Sequence, residues 1–208
     1  MRIAREGYPF ISVAVLLGLL SLVLGWVWLA LFFALAALGF FFFFRDPERS
    51  APEGEDLVIA PADGKVLSIA SGEKGPWEAP AIRVSIFLSP FDVHINRAPV
   101  RGKVEDVRYQ QGTFFAAYRD QASHSNERNL LKIVDATGRR LGLVQIAGVL
   151  ARRIVCYVRK GDSLEAGQRL GLIMFGSRVD LYVPAGCRID VAEGQRVKGG
   201  QTVIGRFA

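Results

Sequence analysis

The chain has 208 residues, a formal net charge of +6 and an apolar fraction of 50%, and its mean hydropathy is +0.25. That length holds one ordinary domain and an appendage, and the excess of apolar residues argues against a wholly soluble protein. The basic balance is not gathered into a helix or interleaved with aromatics as in a nucleic-acid binder, and two histidines with two isolated cysteines, Cys156 and Cys187, offer no metal-ligand spacing.

The apolar excess sits at the start. No charged side chain occurs from Gly7 to Phe44. As one straight helix the run Pro9–Phe44 would extend about 54 Å, well beyond the roughly 30 Å hydrocarbon core of a bilayer. Two shorter helices fit better, about 8–24 and 26–44 with a break near Gly25, making residues 1–44 a membrane anchor. Arg2 and Arg5 precede the run, and Arg45 and Arg49 follow it. Basic flanks favour the cytoplasm, so a transmembrane helical hairpin with both ends cytoplasmic is expected, placing the protein in the cell membrane. A single tilted span and a hairpin dipping into one leaflet are the competing geometries. A cleaved signal peptide fits poorly, because the run is too long and ends in Phe40–Phe44.

Residues 45–56, with two prolines and a glycine, read as a linker. Residues 57–208 then alternate short β-type runs with glycine and proline: 57–60, 64–70, 82–88, 102–109, 130–135, 140–147, 154–158, 169–174, 179–183 and 202–207. Their brevity and β-branched content predict a mainly β domain. The longest irregular stretch, 110–129, carries Phe114, Phe115 and Tyr118, suited either to a membrane surface or pocket or to packing under the loop. A domain of charge +5 beside a bilayer is drawn to an anionic membrane surface.

An internal repeat lies near the C-terminus. Residues 161–170 and 194–203 match at an offset of 33, sharing Gly161/Gly194, Gly167/Gly200 and Gln168/Gln201. Each unit reads as strand–turn–strand and resembles the half-barrels of lipoyl- and biotinyl-type domains. A lysine on an exposed hairpin carries the modification there, which brings Lys198 into consideration.

Three residues stand out chemically. Asp63 lies in Pro61-Ala-Asp-Gly64, His94 follows an apolar strand, and Ser177 follows Gly176 between two apolar runs. Singly, each has a plain reading, as a turn aspartate, a packed histidine and a loop serine. Taken in order, the segments Phe43-Phe-Arg-Asp-Pro47, Pro61-Ala-Asp-Gly64, Leu88-Ser-Pro90 leading to His94, Asn126-Glu-Arg-Asn129 and Phe175-Gly-Ser177 closely resemble the phosphatidylserine decarboxylase family in its short, membrane-anchored form. Phe-Gly-Ser stands where longer relatives have Leu-Gly-Ser-Thr.

The resemblance implies a self-cleaving enzyme. The Ser177 hydroxyl would attack the Gly176 carbonyl, and β-elimination would separate a β chain, 1–176, from an α chain, 177–208, that begins with a pyruvoyl group. That covalent cofactor would form a Schiff base with phosphatidylserine, a membrane phospholipid, and release phosphatidylethanolamine. His94 is implied as the base and Asp63 as its orienter. Serine needs such a base, and histidine titrates near neutrality. Asn96, Arg97 and Arg178 are candidate phosphate or carboxylate contacts. Longer relatives have a second histidine where this chain has Arg97, so His94 would serve twice unless His124 assists. The alternative is a non-enzymatic, membrane-tethered adaptor or carrier built on the half-barrels. Oligomeric state stays open, a homo-oligomer included, as does a diacyl or ether-linked lipid.

Overall fold

A computed structural model describes residues 2–113, 126–148, 153–174 and 176–208. Phe114, Phe115, Tyr118, His124 and Phe175 lie outside the described residues. The chain divides into two units, 2–48 and 49–208.

In the first unit, a two-residue strand β1 (Arg2–Ile3) and a 3-10 turn lead into α1 (Tyr8–Val23), and α2 (Val27–Phe43) returns to β2 (Arg45–Asp46). Gly25, at φ +74°, ends α1 in a backbone conformation that costs glycine little. The helices lie antiparallel: Phe10 meets the rings of Phe40 and Phe44 at 5.5 and 5.4 Å, and Gly18 faces Phe33 and Ala30. Ala14, Gly18, Ser21 and Ala30 are the buried positions of their interiors. Small residues at such a seam let two backbones approach closely. Most larger apolar side chains point outward, Trp28 being 84% exposed, and helices apolar all round are found in cores or in lipid. The continuous stretch Arg5–Val23 is long and apolar enough to cross a membrane, whereas α2, at 17 residues, is shorter. Antiparallel pairing of β1 with β2 sets Arg2 opposite Asp46 and closes the two ends of the pair.

The second unit is built from strands. Its largest element is an eight-stranded antiparallel sheet curled as a half-barrel, ordered β11-β7-β8-β9-β13-β5-β4-β15. These are Ser163–Leu164, Gly102–Gln110, Arg128–Val134, Arg140–Ala147, Ser177–Pro184, Pro80–Leu88, Gly64–Lys74 and Arg196–Val197. Two three-stranded sheets complete it. One is β10-β12-β6 (Ile154–Cys156, Arg169–Ile173, Ile95–Arg97) and the other β14-β16-β3 (Arg188–Ile189, Val203–Arg206, Leu57–Ile59).

Alternation of apolar residues explains most of these strands. In β8, Asn129, Leu131 and Ile133 are buried while their neighbours are half-exposed, the period-2 pattern of a sheet with one covered face. β13 is different, being buried at nearly every position, as suits a central strand lying between β5 and β9. The repeat forms two hairpin-like units. The Gly167 turn is joined to Ala98 by Gly167 N–H to Ala98 O (2.9 Å) and Ala98 N–H to Gln168 O (2.8 Å), and the Gly200 turn to Ala60 by Gly200 N–H to Ala60 O (2.7 Å) and Ala60 N–H to Thr202 O (2.8 Å). Cross-links of Ile59 N–H to Pro99 O and Arg97 N–H to Pro61 O complete this arrangement.

Candidate active site

Strands β5 and β13 are neighbours in the large sheet, and β6 and β12 are neighbours in a small one. The chain therefore passes between the same two sheets twice: residues 89–94 lead from β5 to β6, and β13 opens at Ser177 after β12 closes at Ile173. The ends of the two passages are neighbours. Leu88 pairs with Ser177 on one flank, and on the other Ile173 N–H meets the His94 carbonyl at 3.4 Å. This topology brings His94 and the Gly176–Ser177 bond to a single junction.

Ser177 is the first residue of β13 rather than part of the preceding loop, paired with Leu88 and Ala147. It is wholly buried. Its Oγ has no hydrogen-bond partner among the described residues, an arrangement that costs a folded protein free energy and calls for an explanation. Gly176 sits at φ +67° with open space where a Cβ would be. The left-handed backbone, not crowding, is what asks for glycine here.

His94 is buried, and its Nδ1 lies 2.9 Å from the Asp92 carbonyl. A carbonyl oxygen only accepts, so Nδ1 carries the proton and, in the neutral ring, Nε2 holds the lone pair. The Asp92 carboxylate accepts from Ser89 N–H (2.9 Å), Ser89 Oγ–H (2.8 Å) and the Arg196 guanidinium. The Ser89–Asp92 turn is thus clamped at both ends immediately before the histidine. Sequence reasoning passed over Asp92 and Arg196. Ser-Pro-Phe-Asp is a turn signature in which the aspartate bonds backbone nearby, but nothing local indicates Arg196, 104 residues away.

Asp63 precedes β4, whose Gly64 abuts the Phe87 backbone so closely that a Cβ would lie 2.0 Å from its carbonyl oxygen. Asp63 therefore stands at the same end of the large sheet as Ser89 and Gly176, two strands from Ser177, or roughly 10 Å at normal strand spacing. Its carboxylate accepts both guanidinium nitrogens of Arg49 and the Gly199 N–H at 2.8 Å. Arg49 also donates to the Gly199 carbonyl at 2.6 Å. The stretch expected to be only a linker thus supplies a buried ionic contact, and that contact holds the Gly200 turn.

The expected head-group contacts are engaged within the protein. Arg178 is buried and donates to Asp180 (2.6 Å) and Ser85 (2.8 Å). Arg97 donates to the Gly167 carbonyl at 2.9 Å. The Asn96 carbonyl accepts from Gln145 (2.8 Å), which accepts from Asn129 (2.9 Å), while Asn126 donates to the Ala147 carbonyl at 2.7 Å. Asn126-Glu-Arg-Asn129 is therefore a polar staple holding the end of β9 beside Ser177. Lys198 lies exposed on the Gly200 turn. Among the described residues no group of three His, Cys, Asp or Glu side chains is placed to hold a metal.

The phosphatidylserine decarboxylase family model matches residues 36–205. The chain is also 47% identical to the phosphatidylserine decarboxylase proenzyme of Azorhizobium caulinodans, over 99% of its own length and 89% of that protein's.

Proposed function

Because the chain belongs to the phosphatidylserine decarboxylase family, we propose that it converts phosphatidylserine to phosphatidylethanolamine with a pyruvoyl group made from its own Ser177. The observation that supports this most is the paired crossing, which sets a buried, unpartnered serine hydroxyl and a left-handed glycine beside a histidine whose Nε2 is the basic nitrogen.

Self-cleavage follows from these groups. His94 Nε2 takes the Ser177 hydroxyl proton as Oγ attacks the Gly176 carbonyl carbon, and the C–N bond gives way to an ester while the proton passes to the freed amine. Removal of the Ser177 α-proton then expels the Gly176 carboxylate, closing the upstream chain at residue 176. The dehydroalanine left at 177 takes up water and loses ammonia. The pyruvoyl ketone at position 177 would supply an electron sink for loss of carbon dioxide from an amine-bearing head group. His94 returns a proton to the carbon that loses carbon dioxide. Asp63, expected to orient His94, is engaged with Arg49 and Gly199, and the Asp92 carbonyl is the group that holds His94 Nδ1.

The apolar helix pair supplies membrane association. We further place both helices through the bilayer as a hairpin. The β1–β2 pairing holds the two ends of the helix pair together, which supports a hairpin, and the flanking arginines favour a cytoplasmic face for those ends. Lys198 is left as a solvated turn residue, and the carrier alternative gives way to the enzyme.

Denaturing electrophoresis with mass analysis of the purified full chain tests the proposal. Two fragments divided before Ser177 are expected, the smaller being residues 177–208 with a blocked, ketone-bearing start. Ser177→Ala should stay whole and inactive, and His94→Gln should stay largely uncut. Decarboxylation by an uncut chain would refute the reading.

A further inference from the structure

The outer end of the junction carries an apolar tip. Pro90 and Phe91 form the apex of the Ser89–Asp92 turn, and Phe91 is 77% exposed, the most exposed large apolar side chain among the described residues of 49–208. A single exposed apolar residue ordinarily needs no explanation, but three features set this one apart. The apex is rigid, because Ser89 and Asp92 are bonded to each other and Arg196 grips the Asp92 carboxylate. It is also joined to the chemistry, since the Asp92 carbonyl that closes the turn is the one holding His94 Nδ1. Finally, an exposed arginine stands at the same end of the small sheet. Arg153 is exposed, and its carbonyl accepts from Met174 N–H, two strands from β6 across β12. Arg196, 69% exposed along its side chain, is paired with Asp92.

We propose that Phe91 is a membrane finger: it enters the interfacial layer of an anionic bilayer and sets the depth at which His94 meets the lipid head group. This rests on the function proposed above. The reacting carbon of the substrate lies in the head group, so the enzyme must reach into that layer without lifting the lipid out. Three residues separate Phe91 from His94, a reach of at most about 10 Å, and the polar layer of each leaflet is roughly 5–8 Å thick. A phenyl ring seated at the base of that layer would leave the histidine level with its outer part. Aromatic and aliphatic tips beside basic side chains are the usual chemistry of such interfacial insertion.

The test uses the full chain in phosphatidylcholine vesicles containing phosphatidylserine, compared with a short-chain phosphatidylserine kept monomeric in solution. Self-cleavage is checked on the same samples. Phe91→Asp should lower the ratio of vesicle rate to monomer rate about tenfold, the loss expected when one apolar anchor is replaced by a charge. Phe91→Leu should keep the ratio, and Phe91→Ser should lower it in the same direction as aspartate. Arg153→Glu should lower the vesicle rate about fivefold. A Phe91→Asp chain that cleaves itself and keeps the wild-type ratio overturns the finger while leaving the decarboxylase reading intact. Failure of both polar variants to cleave also overturns it, because Phe91 would then belong to the folding core. An unchanged Arg153→Glu rate overturns the anionic surface. Wild-type protein inactive on both substrates defeats the underlying function instead.

Discussion

The two copies of the C-terminal repeat share turn geometry but not surroundings. Gly167 and Gly200 both sit at φ +77°, and each donates its N–H to a neighbouring carbonyl, Ala98 in one case and Ala60 in the other, while the return bond goes to Gln168 in the first and to Thr202, one position further along, in the second. Beyond the first turn, β12 runs alongside the residues that follow His94 and on to Ser177. Beyond the second, β16 runs to the C-terminus against β3. The first copy is held by Arg97 through the Gly167 carbonyl; the second is locked by Arg49 and Asp63 through both polar groups of Gly199. One copy leads to the Gly176–Ser177 bond, and the other anchors Asp63 and the last strand.

If the second copy is chiefly a lock, opening the lock should cost most. Arg49→Ala leaves the Asp63 charge buried without its cation, which should destabilise the fold by about 3 kcal/mol. In thermal melts of the uncut Ser177→Ala chain this corresponds to a fall of roughly 6–12 °C. A change near zero would mean that the ion pair is not holding the turn.

The glycines sharpen the contrast. Alanine at either position must adopt a left-handed backbone, costing about 1–2 kcal/mol. At Gly200 its Cβ would also meet Arg97 Cδ at 2.7 Å, whereas at Gly167 the nearest atom is the Ala51 methyl at 3.2 Å. Gly200→Ala should therefore cost about 2–3 kcal/mol and Gly167→Ala about 1–2 kcal/mol. Equal losses in the same melts would erase the distinction between the copies.

The smallest effect concerns acid. Burial pushes the Asp135 carboxyl up, but hydrogen bonds from Arg139 and Thr137 outweigh it and hold it below its usual value. Arg139 also bonds the Glu55 carbonyl and stacks 3.9 Å from Phe207, near the chain end. A lowered folded value means that this stabilisation is full above the unfolded carboxylate range and is lost as pH falls through the folded value. Asp135→Asn should therefore flatten part of the drop in melting temperature below about pH 4. An unchanged acid profile would detach Asp135 from the stability of that end.

Much of this was legible beforehand. The longer strands between Gly64 and Ala147 declared themselves by β-branched content between glycines and prolines, and the 33-residue offset exposed the paired turns before their docking was visible. β6 stayed hidden because Ile95, Asn96 and Arg97 are all buried, so three residues of mixed polarity present no period to read. Arg178 looked like a free cation because its partner Asp180 lies two residues on, where only a strand, with its same-face i+2 neighbours, makes the pairing plain. Arg49 was hidden by its company, a proline-containing polar stretch indistinguishable from a tether. Ser177, Gly176 and His94 were singled out mainly by resemblance; the double crossing supplies the spatial reason that the linear order lacks.

Strand β13 carries one last consequence. Its eight residues are hydrogen-bonded to β9 on one edge and β5 on the other, and Ser177 is its first. A cut before that serine falls where a strand enters the sheet rather than in a free connection. If the chain is cut as proposed, the released segment would keep its backbone partners on both sides, so processing would be a chemical event with almost no mechanical one and the new end would start in register with its neighbours.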